Sequence, residues 1–431
     1  MSIKATTSIT TNPNTSPPAH HREHIAVQLP EVVSQILRYL SPYDSPNPSQ
    51  SNNVFAIARN TKHLYQCLLI NHLWYECALR HLWRHVVFEE NGSGAESFRQ
   101  FASTFANKPI TNPAPPFFPI SFSSPMHLSL SANSSSPSVV DSPLPCKTTK
   151  GPTSPSLSTP LSTQSTHEQP PELPVVSLPP SNDLHHRSLR SLTLRQIKGR
   201  DTTASLAAIA KHATHLQHLE IYISQSVTNE SLTPFFMHHP NRLTHLSLAG
   251  CHRVSDASIL VLARHVPDLV HLDLRACDMV SDISLTAIAT SCPRLHHLNV
   301  GRIHEKHRIT NQSIVLIAQS TQVAVLGLAG CDISDQAIFA LAIHRRHALN
   351  RVSVNHCTRL ANLGIQCLSS CCPNLSVLEL KACPRINDWR TIEALVDRKV
   401  SLTLNHHQKH QFQGWSRRYG KNRVTIAPIK Q

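Results

Sequence analysis

Apolar and polar positions alternate in a fixed order through the second half of the chain. Leu243-Thr244-His245-Leu246-Ser247-Leu248-Ala249-Gly250-Cys251 returns as Leu269 to Cys277, Val323 to Cys331, Leu349 to Cys357 and Leu375 to Cys383, with a variant from Leu295 to Ile303. The starts lie 26, 26, 28, 26 and 26 residues apart. In Leu246-Ser247-Leu248 the two leucines point one way and the serine the other, which predicts a short strand. After each strand the apolar spacing changes to i, i+3, i+4, i+7. Ile259, Leu262, Ala263 and Val266 form such a stripe, as do Leu285, Ile288, Ala289 and Cys292. That is one face of a helix. Thr228-Asn229, Ser255-Asp256, Ser281-Asp282, Thr310-Asn311, Ser334-Asp335 and Asn387-Asp388 precede these helices and offer oxygens to the unpaired N–H groups of the first turn. Pro267, Pro293 and Pro373 stop helices and return the chain to the next strand.

The unit L-x-x-L-x-L-x-x-C is a leucine-rich repeat of the cysteine-containing kind. One unit has apolar surface that only a neighbour covers, so the array must fold as a stack. The predicted fold class is α/β: a curved leucine-rich-repeat solenoid, or horseshoe, with strands inside and helices outside. A small helical module and a disordered linker precede it. Weaker copies begin at Leu189 and Leu216, and a partial one ends at Leu402 and Leu404. Cys251, Cys277, Cys331, Cys357 and Cys383 then stack at the strand exits. Five equivalent cysteines make no sense as catalytic thiols and good sense as small buried groups.

With the leucines inward, the remaining strand positions face the concave side. One column reads Thr193, Glu220, Ser247, Asp273, Asn299, Gly327, Ser353 and Glu379; its neighbour includes Arg195, Tyr222, Arg275, Asn355 and Lys381. The expected target-binding residues on this face are Arg195, Tyr222, His271, Asp273, Arg275, Arg302, Arg351, Asn355, Glu379 and Lys381. Rows of stacking rings, as single-strand nucleic-acid binders use, are missing. Most of these side chains are expected to be simply solvated.

Composition divides the 431 residues. Residues 1–24 are polar and expected to be disordered; 25–105 read as a helical module; 106–183 form a Ser/Pro-rich disordered linker with 17 of the 31 prolines between 107 and 183; 184–404 form the solenoid; 405–431 form a basic tail. Ser/Thr-Pro pairs in the linker, such as Ser124-Pro125 and Thr159-Pro160, offer sites to proline-directed kinases or arise by chance. No apolar run reaches 18 residues, which excludes a membrane-spanning helix. The first residues lack the apolar core of a signal peptide. The 12 cysteines, most at repeat-fixed positions and with no C-x-x-C pair, argue for a reducing compartment, cytoplasm or nucleus, and against a disulfide framework or zinc site. No cofactor or metal is expected, and only 11 glycines leave no Gly-rich phosphate loop. The net charge of +14 and the basic tail carry a minor reading as a nucleic-acid-binding scaffold. An enzyme is not expected.

Leu29-Pro30-Glu31 opens an amphipathic pattern through Val32, Val33, Ile36, Leu37 and Leu40; a second runs from Leu64 to His85 with Trp74 and Trp83. This stretch resembles an F-box, carried by IAVQLPEVVSQILRYL and LYQCLLINHLWYECALRHLWRHV. It departs from the usual form between Ser41 and His63, where a proline-containing insertion separates the helices. F-box, linker and repeats together resemble the F-box/leucine-rich-repeat family. The repeats are also similar to the fungal antagonists of the mitotic exit network. The resemblance implies a monomeric substrate receptor of an SCF (Skp–cullin–F-box) ubiquitin ligase, bound to a Skp-type adaptor and a cullin. Leu29, Pro30, Ile36, Leu37 and Trp74 would belong to the adaptor contact or its supporting core. The alternative is an inhibitor whose repeats sequester a cell-cycle regulator without degrading it.

Overall fold

A computed structural model describes residues 29–40, 63–90, 93–106, 186–197, 199, 201–238 and 242–420. The expected disordered N-terminus, nearly all of the linker, the 41–62 insertion and the last residues of the tail lie outside them.

The N-terminal elements are α1 (Pro30–Leu40), a helical turn over 63–67, and α2 (His72–Leu82). Val33 and Leu37 of α1 are fully buried, as the i, i+4 spacing requires. Asn71 caps α2, its side chain accepting from the Trp74 amide at 3.0 Å. Cys77 sits between the helices, 3.7 Å from the Ser34 hydroxyl and 3.9 Å from the Pro30 carbonyl.

Ten parallel strands follow in strict chain order. They are β1 (His85–Glu89), β2 (Ser191–Arg195), β3 (His218–Tyr222), β4 (His245–Ser247), β5 (His271–Asp273), β6 (His297–Asn299), β7 (Val325–Gly327), β8 (Arg351–Ser353), β9 (Val377–Glu379) and β10 (Ser401–Thr403). The helices that return the chain are α3 (Gly94–Phe105), α4 (Thr202–His212), α5 (Asn229–His238), α6 (Asp256–His265), α7 (Asp282–Ser291), α8 (Asn311–Ser320), α9 (Asp335–Arg345), α10 (Asn362–Cys371) and α11 (Trp389–Asp397). The repeat solenoid expected from the spacing is thus present. No described helix is long and apolar enough to cross a membrane.

Two stretches differ from the expected organisation. Residues 85–105, read as part of the helical module, supply β1 and α3, which form the first coil of the stack. Val86 is paired with Leu192 of β2 across the linker, and Trp83 stacks on Phe101 of α3 at 5.0 Å. The stretch read as a basic tail contains α12 (His406–Arg418), which closes the other end. Asn405 and Gln408 form a reciprocal capping box, and Phe412 is buried against the last coil. An apolar residue on a helix flank suffices to recruit such a segment to an otherwise open end.

Within the stack, Cys251, Cys277, Cys331, Cys357 and Cys383 are buried. Each thiol donates to a backbone carbonyl of the preceding coil: Ile221, Leu248, Val300, Leu328 and Val354, at 3.6, 3.1, 3.6, 3.2 and 3.1 Å. The thiol therefore fills space and satisfies a strand-end carbonyl at once. Burial pushes Cys251 and Cys383 up to about 11 and Cys331 up to about 12, so these groups stay protonated.

Candidate functional site

Two faces carry the residues expected to bind partners. The first lies on the N-terminal helices. Sending Val33 and Leu37 into the core turns Leu29, Ile36 and Tyr39 outward, and Tyr39 is 84% exposed. Leu69, 87% exposed, Ile70 and Tyr75 add to the apolar surface of the same module. Of the residues expected to serve the adaptor contact, Leu29, Pro30 and Ile36 are accessible, Leu37 is core, and Trp74 is half-buried against that core. Leu69, Ile70, Tyr39 and Tyr75 were not singled out from the sequence. Their signal was present as apolar residues off the helical stripe.

The second face is the side of the sheet opposite the helices. Thr193, Glu220, Ser247, Asp273, Asn299, Gly327, Ser353 and Glu379 stand in register as one column, as the repeat spacing required. The expectation that they are mostly solvated fails for Thr193, Ser247 and Asp273, which are buried under the flanking columns.

Charge on this face is paired. Arg195 bonds Glu89 at 2.8 Å, and its guanidinium stands 6.0 Å from the Tyr222 ring centre; the Tyr222 hydroxyl donates to Glu220 at 3.3 Å. Arg275 grips Asp273 through Nε and Nη2, at 3.0 and 2.7 Å. Glu379 accepts from Arg351, from the Ser353 hydroxyl at 2.8 Å and from Asn355 at 3.0 Å. Asn355 in turn accepts from the Lys381 amide at 2.7 Å. Nine of the ten candidate residues therefore sit on one face. The tenth, Arg302, does not face a partner. It is 4% exposed, and its Nη1 donates to the carbonyls of Val280 and Glu305 at 3.1 and 3.3 Å.

A histidine ladder joins these columns. His218, His245, His271 and His297 occupy the first position of β3 to β6. Their ring centres lie 4.2, 5.6 and 4.0 Å apart, the last two pairs stacked. Burial, then the neighbouring imidazoles, pushes His271 down to about 4. Burial, then His218, does the same to His245. The ladder is thus neutral at physiological pH, an imidazole stripe between the paired charges. Among the described residues no group of three or more His, Cys, Asp or Glu is set to hold a metal ion.

Comparison with known proteins agrees with the resemblance drawn from the sequence. Residues 30–89 match the family model described as F-box-like. The chain is 42% identical over 177 residues to the Antagonist of mitotic exit network protein 1 of Yarrowia lipolytica, covering 41% of this chain and 24% of that protein. It is 31% identical over 179 residues to the protein of the same name from Eremothecium gossypii, covering 41% and 39%. The chain thus spans well under half the length of the relatives it matches. Among solved structures, the crystal structure of the Rad7 and Elc1 complex in yeast aligns over 52% of this chain and 56% of that one, with 18% identity and a TM-score of 0.42.

Proposed function

We propose that the chain is a substrate-recognition adaptor of an SCF-type ubiquitin ligase. Its N-terminal helices dock on a Skp-type adaptor that links it to a cullin, and its sheet face holds the protein to be ubiquitinated. The observation that carries this reading is the set of exposed apolar side chains Leu29, Ile36, Tyr39, Leu69, Ile70 and Tyr75 on a module matching the F-box-like family. Exposed apolar side chains concentrated on one small module mark a partner surface. The chain itself performs no chemistry: it holds two proteins near each other, and the partners transfer ubiquitin.

The test uses surface residues, because Leu37 is core and its loss would unfold the module. Tyr39→Asp/Leu69→Asp should abolish co-purification of Skp and cullin while leaving the thermal melt of the full chain unchanged. Recovery of both partners at wild-type levels would remove the reading.

The names of the relatives favour a second one, in which the repeats hold a cell-cycle regulator without degrading it. The two diverge in one measurement. If deleting the chain lengthens the target's half-life, the target is degraded; if the half-life stays the same while the free target rises, it is sequestered.

A further inference from the structure

Two cysteines do not follow the logic of the column. Cys367 and Cys371 lie one turn apart on α10, both half-exposed, with their sulfur atoms 4.0 Å apart. At the register position of Cys367, helices α6 to α9 carry Val261, Ala287, Leu316 and Ala340, so a small apolar group there is ordinary packing. At the position of Cys371 they carry His265, Ser291, Ser320 and His344. Cys371 packs on the edge of the core as Cys367 does, but the other coils place a polar side chain there, so a thiol pair one turn apart is particular to this coil.

Distances separate the two things such a pair can do. Side chains at i and i+4 have Cβ atoms about 5–6 Å apart. A disulfide needs about 3.5–4.5 Å, so direct S–S bonding would distort the helix. A bridging atom asks for less: two bonds of about 2.3 Å, meeting at the roughly 95° of a pyramidal trivalent centre, need the sulfurs about 3.4 Å apart, which a small rotation of either side chain reaches from 4.0 Å.

We propose that Cys367 and Cys371 form a two-thiol chelating site for a thiophilic centre, the class represented by trivalent organoarsenicals. With phenylarsine oxide the reaction balances without any change of oxidation state. Two S–As bonds form, the arsenic–oxygen bond breaks, and the oxygen leaves as water with the two thiol protons. The column thiols cannot compete, being buried and bonded to carbonyls.

The experiment is intact-mass analysis of the folded full chain after exposure to phenylarsine oxide. One adduct is expected, released by a small 1,2-dithiol, and absent from Cys367→Ala and from Cys371→Ser. Both replacements are residues that other coils use at the same register, so the stack should keep its melt. Adduct formation should quicken as pH rises, because both protons must leave. Retention of the adduct in the Cys367→Ala/Cys371→Ser double variant would overturn the assignment. So would labelling of only the unfolded chain, or an adduct lost with one cysteine and kept without the other.

Discussion

One backbone position in almost every coil turns left-handed. It is the residue before the column cysteine or its equivalent: Gln196, Ile223, Gly250, Ala276, Gly330, His356 and Ala382 all have φ between 54° and 77°. Only two are glycine, so the turn was invisible in the sequence, whereas the cysteine beside it was plain. The two glycines are not alike. A Cβ on Gly250 would lie 3.2 Å from Ile223, but on Gly330 it would lie 2.0 Å from the Arg302 carbonyl oxygen. Gly250→Ala should therefore cost about 1 kcal/mol, the ordinary left-handed penalty, and Gly330→Ala about 3 kcal/mol, read from denaturant midpoints. The histidine ladder sets a pH dependence. His245 and His271 are held near 4 in the fold, against about 6.5 in the unfolded chain. Between those values the unfolded chain binds more protons. The ladder's stability is thus complete above about 6.5 and falls as pH drops toward 4. Thermal melts at pH 7 and pH 5 should differ by less in His245→Gln/His271→Gln than in wild type.

Between elements, the helix-capping pairs do a second job that spacing could not reveal. The oxygens of each pair were read as caps, and the hydroxyls of Ser255, Ser281 and Thr310 do cap their own helices. The Asp or Asn that follows reaches forward to the next coil. Asn229 accepts from the Ser255 amide at 3.0 Å, Asp256 from Ser281 at 2.8 Å, Asp282 from Thr310 at 3.0 Å, Asn311 from Ser334 at 2.9 Å and Asp335 from Ala361 at 2.9 Å. This ladder stitches the helix starts as the thiols stitch the strand ends. Asp282 also accepts from the Thr310 hydroxyl at 2.6 Å and from Ser313. Its loss strands several donors at once. Asp282→Ala should cost roughly 2–4 kcal/mol and Asp282→Asn much less, as measured by urea denaturation. Periodicity reports which residues share a face of one element. It does not report which side chain crosses to the next, and so the cap was legible while the stitch was not.

At the scale of the whole stack, each coil touches only its neighbours, and the ends decide where opening begins. The helical module and first coil cover one end and α12 covers the other. Removing residues 406–431 should uncover Leu404 and the last coil, lower the melting temperature and raise hydrogen exchange in β9 and β10 before β4 and β5. The register of the middle coils was legible because the same nine-residue pattern repeats there at nearly constant spacing. The first coil was not, because β1 meets its partner across a long insert: Glu89 and Arg195 bond although 106 positions apart. That pairing has a consequence for the integrity of the molecule. A protease cutting anywhere between residues 107 and 185 would sever the polypeptide but not the protein. Two pieces, one carrying the N-terminal helices with β1 and α3 and the other carrying the remaining coils, should still travel together through a sizing column, and two genes encoding them separately should reconstitute the fold.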